Sequence, residues 1–102
     1  MKVVALESVE KFVNALDNTG RSDVYRLIGM LQQYGHELSM PYAKPIGNGL
    51  WELRKTGRPQ ICFLYGFCRG EVLLLLALKK QRSALRQEDI ATAQKRLAAH
   101  CE

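Results

Sequence analysis

The chain has 102 residues, 47% hydrophobic and 25% charged, which excludes disordered and fibrous classes and is the size of one domain, residues 1–102. Fifteen Lys and Arg against ten Asp and Glu give a net charge of +5, which favours a phosphate-rich or acidic partner without choosing between nucleic acid and protein. Three cysteines, an odd count with no CxxC spacing, argue against a disulfide framework or a zinc site and for a reducing compartment.

Residues 2–6 read as a short strand, and the start of the chain lacks the long apolar stretch of a signal peptide. From Ser8, a plausible N-cap, the residues Val9, Phe12, Val13 and Leu16 recur at helical spacing. Asp17-Asn18-Thr19-Gly20 punctuates, and Val24, Leu27, Ile28 and Leu31 repeat the spacing in a second helix that Gly35 stops. Two such helices joined by a short polar loop form an antiparallel pair. Residues 40–49 contain Pro41 and Pro45 and read as a loop leading to a strand. Strands follow at 50–55, 60–67 and 71–79, separated by Thr56-Gly57-Arg58-Pro59 and Cys68-Arg69-Gly70. Such short links give an antiparallel meander. The third of these strands, VLLLLAL, does not alternate and is expected to be buried on both faces, yet it is far too short to span a bilayer. A last helix begins near Leu85, with Glu88-Asp89 in its first turn and Ile90, Ala93 and Leu97 on its apolar stripe. The fold class is α+β: two N-terminal helices, an antiparallel sheet and a C-terminal helix.

Turn positions set an expected register. Centring the first turn on Arg58 pairs Arg54 with Cys62 and Glu52 with Leu64. Centring the second between Arg69 and Gly70 pairs Cys62 with Ala77 and Gln60 with Lys79. Arg54, Cys62 and Ala77 then form one cross-strand row with Lys79 at its edge, while Trp51, Phe63, Tyr65 and Leu76 face the helices.

The sequence contains no hydrolase triad order and no metal-binding motif. His36 and His100 lie far apart near helix ends, which suits capping or solvation. GNGLW precedes a strand and is a turn, not a phosphate loop. What remains is basic: Lys44, Arg54, Lys55, Arg58, Arg69, Lys79, Lys80 and Arg82, mostly on the strands and turns of the sheet. One reading is a solvated sheet edge and the other a phosphate-binding concavity. Arg54 is the most telling, because an arginine between apolar neighbours in a strand needs an acid or a ligand, and Glu52 lies two residues earlier on the same face. Such a surface can cleave RNA through the 2′-hydroxyl without histidine or metal, since Lys and Arg relieve charge at phosphorus and a lysine can exchange the proton.

HELSMPYAKPIGNGLWELR, QICFLY, LALKK and DIATAQKR, in this order and spacing, resemble the HigB-like branch of the RelE/ParE toxin superfamily, a branch of phage-derived toxins of type II toxin–antitoxin modules. The resemblance runs from about residue 7 to residue 100. It implies a cytoplasmic bacterial or phage protein that cleaves mRNA at the ribosome, needs no cofactor or metal, and is held in a complex by a helix-turn-helix antitoxin. By the same resemblance Arg54, Lys79 and Lys80 are the catalytic set, with Lys44, Lys55, Arg58, Arg69 and Arg82 contacting RNA. Tyr65 matches a family tyrosine that the register turns inward. The chain departs from the family pattern at Cys62, where an arginine is usual, and at Ala77, where an aromatic is usual. Leu75-Leu76 replaces a histidine-glycine pair, and Gln81-Arg82-Ser83-Ala84 replaces a threonine-rich stretch. These departures mark Cys62 and Ala77 as degenerate site positions. They carry an alternative: a catalytically impaired or non-enzymatic protein of the same fold, binding its antitoxin or another target such as DNA gyrase. An unrelated RNA- or DNA-binding domain is the third reading.

Overall fold

The computed structural model describes residues 1–79 and 85–101. In chain order these form β1 (Lys2–Ala5), α1 (Glu7–Asn14), α2 (Asn18–Tyr34), a single 3-10 turn (Gly35–Glu37), β2 (Ala43–Gly47), β3 (Leu50–Lys55), β4 (Ile61–Cys68), β5 (Glu71–Lys79) and α3 (Gln87–His100). The α+β class holds. The sheet, however, is mixed: its order is β1-β5-β4-β3-β2, with β1 parallel to β5 and the remaining pairs antiparallel. The expected meander is β3 to β5; β2 extends it by one antiparallel strand and β1 adds a parallel edge.

Local chemistry accounts for the ends of the helices. α1 starts from Leu6 without a side-chain cap, so Ser8 is not the cap the sequence suggested, and Glu7 and Glu10 sit at the positive end of the helix. α2 begins earlier than its apolar stripe: the Asp17 carboxylate accepts from the Gly20 N–H at 2.7 Å, and Asn18 to Gly20 become its first turn. Gly35, at φ 54°, stops it.

The stretch read as a loop contains β2, which pairs Ala43 with Leu53 and Pro45 with Trp51. Proline lacks a donor, and an edge strand has one side that needs none, so Pro45 is accommodated there. β5, flanked by β1 and β4 and covered on both faces, buries Val72, Leu73, Leu74 and Leu75 in succession, as its failure to alternate predicted.

Two cores result. On the α1/α2 side Val9, Val24 and Leu31 meet Leu53, Ile61, Phe63, Tyr65 and Leu74. On the other side Leu50, Cys62, Leu64, Leu73 and Leu75 meet Ala93, with Ile90 and Leu97 packed against them. α3 approaches β4 closely at Gly66, where a Cβ would lie 2.9 Å from Leu97 Cδ2 and 3.3 Å from the Gly49 carbonyl oxygen.

Two expectations are corrected here. First, β4 and β5 pair as foreseen near their turn, Cys68 with Glu71 through Tyr65 with Leu74, but a β-bulge follows and Leu64 pairs with Leu76. Leu75 has no opposite number on β4, and both Leu75 and Leu76 join the α3-side core. Leu76 is thus not on the face of Trp51, Phe63 and Tyr65. Arg96 of α3 donates from Nη1 to the Leu75 carbonyl at 2.8 Å and to Ser8 Oγ at 3.2 Å, so the residue without a strand partner is bonded by a helix. Second, Cys68 and Cys101 form a disulfide across 33 residues of sequence, with Cα atoms 5.8 Å apart. The odd cysteine count concealed one pair plus Cys62, and the cysteine argument for a reducing compartment falls. The bond joins the end of β4 to the C-terminal end of α3.

Candidate nucleic-acid interface

The hairpin of β3 and β4 has the predicted register, with Arg54 opposite Cys62 and Glu52 opposite Leu64. Arg54 Nε lies 2.8 Å from Glu52 Oε1, an ion pair without hydrogen-bond alignment, so the predicted structural partner is present. Glu52 is 1% exposed and the Arg54 side chain 25%. The arginine thus neutralises a buried acid while one side of it reaches solvent.

Lys55 is the last residue of β3 and is 5% exposed, so its side chain is turned into the protein. Its Nζ donates to the carbonyls of Pro59 at 3.0 Å and Thr56 at 3.3 Å and stands 3.8 Å from Asp23 Oδ2 of α2. The ammonium group therefore closes the turn 56–60 from inside and ties it to α2.

The expected row Arg54–Cys62–Ala77 does not form. Beyond the bulge Cys62 pairs with Leu78, Phe63 with Ala77 and Ile61 with Lys79. One residue of slip exchanges the faces of a strand. Lys79 consequently belongs to the row Lys55–Ile61–Lys79, on the opposite face of the sheet from Arg54, exposed at the end of β5. Ala77 packs with the α1/α2 core, and Cys62 is wholly buried in the α3-side core. Arg58 and Arg69 are exposed in the turns at the two ends of β4, eight residues long and hence roughly 25 Å apart. Arg69 (φ 52°) and Gly70 (φ 78°) make the left-handed two-residue turn that right-twisted hairpins favour. Lys44, half-buried on β2, pairs with Glu52 and extends the Arg54 side of the sheet. Lys80 and Arg82 lie outside the described residues.

Tyr65 does point inward. It is fully buried, its hydroxyl has no partner among the described residues, and burial pushes its pKa up to about 12. His36 stacks on Phe67 with ring centroids 3.7 Å apart, and His100 closes α3.

A cleft that the sequence did not announce opens beside this hairpin. It encloses about 370 Å³ and is lined by Asp23, Arg26, Leu27 and Met30 of α2, by Pro41 and Tyr42, and by Arg54, Lys55 and Thr56. Its sequence signal was slight: Asp23 and Arg26 are merely an i,i+3 pair, and nothing local links them to a tyrosine before an edge strand.

Residues 11–98 match the family model for phage-derived Gp49-like proteins (DUF891). The chain belongs to that family. No curated protein matches it. The Gp49-like segment starts within α1 and ends within α3, so it includes the hairpin, the cleft and the bulge, while β1 lies outside it. It also leaves out Cys101, so one half of the disulfide lies beyond the Gp49-like match. No helix among the described residues of this Gp49-like protein is long and apolar enough to cross a membrane.

Proposed function

We propose that the chain is the toxin of a type II toxin–antitoxin module, of the HigB-like kind, acting in the cytoplasm to arrest translation. In this reading its basic half engages mRNA and the ribosome, and a helix-turn-helix antitoxin binds it into an inactive oligomer. Membership of the phage-derived Gp49-like family over residues 11–98 carries the reading. The net charge of +5 supports a polyanionic target.

Of two modes of action, binding without cleavage is the better supported. Arg54 and Lys79 occupy opposite faces of the sheet, so they do not converge on one phosphate. Cys62, where the resemblance implies a phosphate-binding arginine, is wholly buried. A thiol there supplies none of the bidentate donation of a guanidinium. The bound target is then the ribosome itself, or an enzyme such as DNA gyrase. The second mode, metal-independent mRNA cleavage, is favoured by one observation: Lys79 is exposed at the end of β5 and is followed directly by Lys80. In that mode the lysine pair, with Arg82, does the work without the row through Cys62.

Induction of the chain in bacteria without its antitoxin, with transcript 5′ ends mapped on ribosomes, tests both. Growth arrest without new ends is the expected result. Arrest with new ends selects cleavage, and uninterrupted growth removes the toxin reading altogether.

A further inference from the structure

We infer that the cleft between α2 and the open end of β3 is a site for one nucleotide unit with its phosphate, drawn from single-stranded RNA. β2 begins at Ala43, opposite Leu53, whereas β3 runs on through Arg54 and Lys55. Beyond that last pair only the Arg54 N–H still reaches back, to the Tyr42 carbonyl at 2.8 Å. The sheet edge therefore opens onto α2, and the resulting 370 Å³ is at the small end of ligand sites, the scale of a single nucleotide.

The lining has the two halves that such a ligand needs. Arg26 and Lys55 face one acid, Asp23, which lies 3.6 Å from Arg26 and 3.8 Å from Lys55, too far for a hydrogen bond to either. These are loose ion pairs that a phosphate can displace. The guanidinium of Arg26 is on an exposed side chain. It can therefore grip phosphate oxygens. Beside the charges the lining includes Tyr42, 41% exposed, and the apolar Met30 and Leu27. An aromatic ring with an apolar wall takes the face of a base, as single-stranded RNA recognition requires. An acidic peptide would use the cations and leave the ring unused.

The inference rests on the reading above only for RNA as the source. Growth arrest tests that reading in cells, and binding to the purified chain tests this one, so they fail separately. The full chain is titrated with 5′-AMP, adenosine, a short single-stranded oligoribonucleotide and an oligoglutamate peptide, followed by calorimetry and by NMR shifts of Tyr42 and Thr56. We expect 5′-AMP to bind at least about tenfold more tightly than adenosine, because the phosphate gains charge-assisted hydrogen bonds. Arg26→Gln should weaken 5′-AMP about tenfold by removing such bonds. Tyr42→Ala should weaken it about fivefold or more by removing a stacking face. Asp23→Asn should tighten it about threefold by removing a competing anion. Arg26 and Tyr42 are surface residues, so loss of folding does not stand in for loss of binding. Equal binding of 5′-AMP and adenosine, indifference to all three substitutions, or binding of oligoglutamate in place of 5′-AMP overturns the site. Tighter binding of the oligonucleotide than of 5′-AMP supports RNA as the source, and equal affinity overturns that part.

Discussion

The two faces of the sheet are built on different terms. On the α1/α2 side Trp51, Tyr65 and Phe67 gather with ring centroids 5.8 to 6.2 Å apart, and the fully buried Phe63 and Ile61 complete the layer. On the α3 side no aromatic ring joins the core among the described residues, and α3 itself contributes a single fully buried residue, Ala93. Large rings supply burial and specific geometry together. An aliphatic face with a lightly anchored helix supplies less, and here it is fastened by a disulfide and by Arg96 on the bulge. The aromatic side thus holds by mass and the α3 side by fasteners.

That contrast can be broken from either side. The largest effect is expected from Phe63→Ala, about 3–5 kcal/mol by urea unfolding, with protection lost across the whole molecule. Next is Cys101→Ser: closing a loop of 33 residues stabilises by about 3–4 kcal/mol in the chain-entropy account. Its signature is faster amide exchange in α3 while α2 keeps its protection. Smaller again is Arg96→Ala, about 1–2 kcal/mol, since it leaves the Leu75 carbonyl without its donor and loosens the same helix. Smallest is Tyr65→Phe, which removes a buried hydroxyl that has no described partner and should be neutral or stabilise by up to about 1 kcal/mol at pH 7. Tyr65 also gives a pH test. Its pKa rises from 10 unfolded to about 12 folded, so its contribution is complete below pH 10 and is lost as pH climbs towards 12. Midpoints measured through that window should fall in the parent chain and fall less in Tyr65→Phe.

Much of this fold was legible locally. The helical stripes, the Arg58-centred turn and the Arg54–Glu52 pair follow from spacing and from the cost of a lone charge in a strand. What failed to show had no local signature. In Leu73 to Leu76 every residue is the same, so a slip by one changes neither hydropathy nor volume, and nothing in the run marks the bulge. The disulfide partners stand 33 residues apart, and their meeting depends on α3 lying across β4. β2 was hidden by Pro45, whose missing donor costs nothing on an edge. The expected row Arg54–Cys62–Ala77 failed for the first of these reasons, since its reading ran through the leucines.

Leu75 therefore acts as a half-wavelength inserted into the strand. Everything after it in β5 is out of phase with everything before. Were Leu75 paired with Leu64 instead of bulging, Ala77 would stand beside Cys62 and Lys79 would pass through the sheet to the side of Arg54. The side of the sheet on which Lys79 stands is thus set by a bulge within a run of leucines, not by the lysine itself.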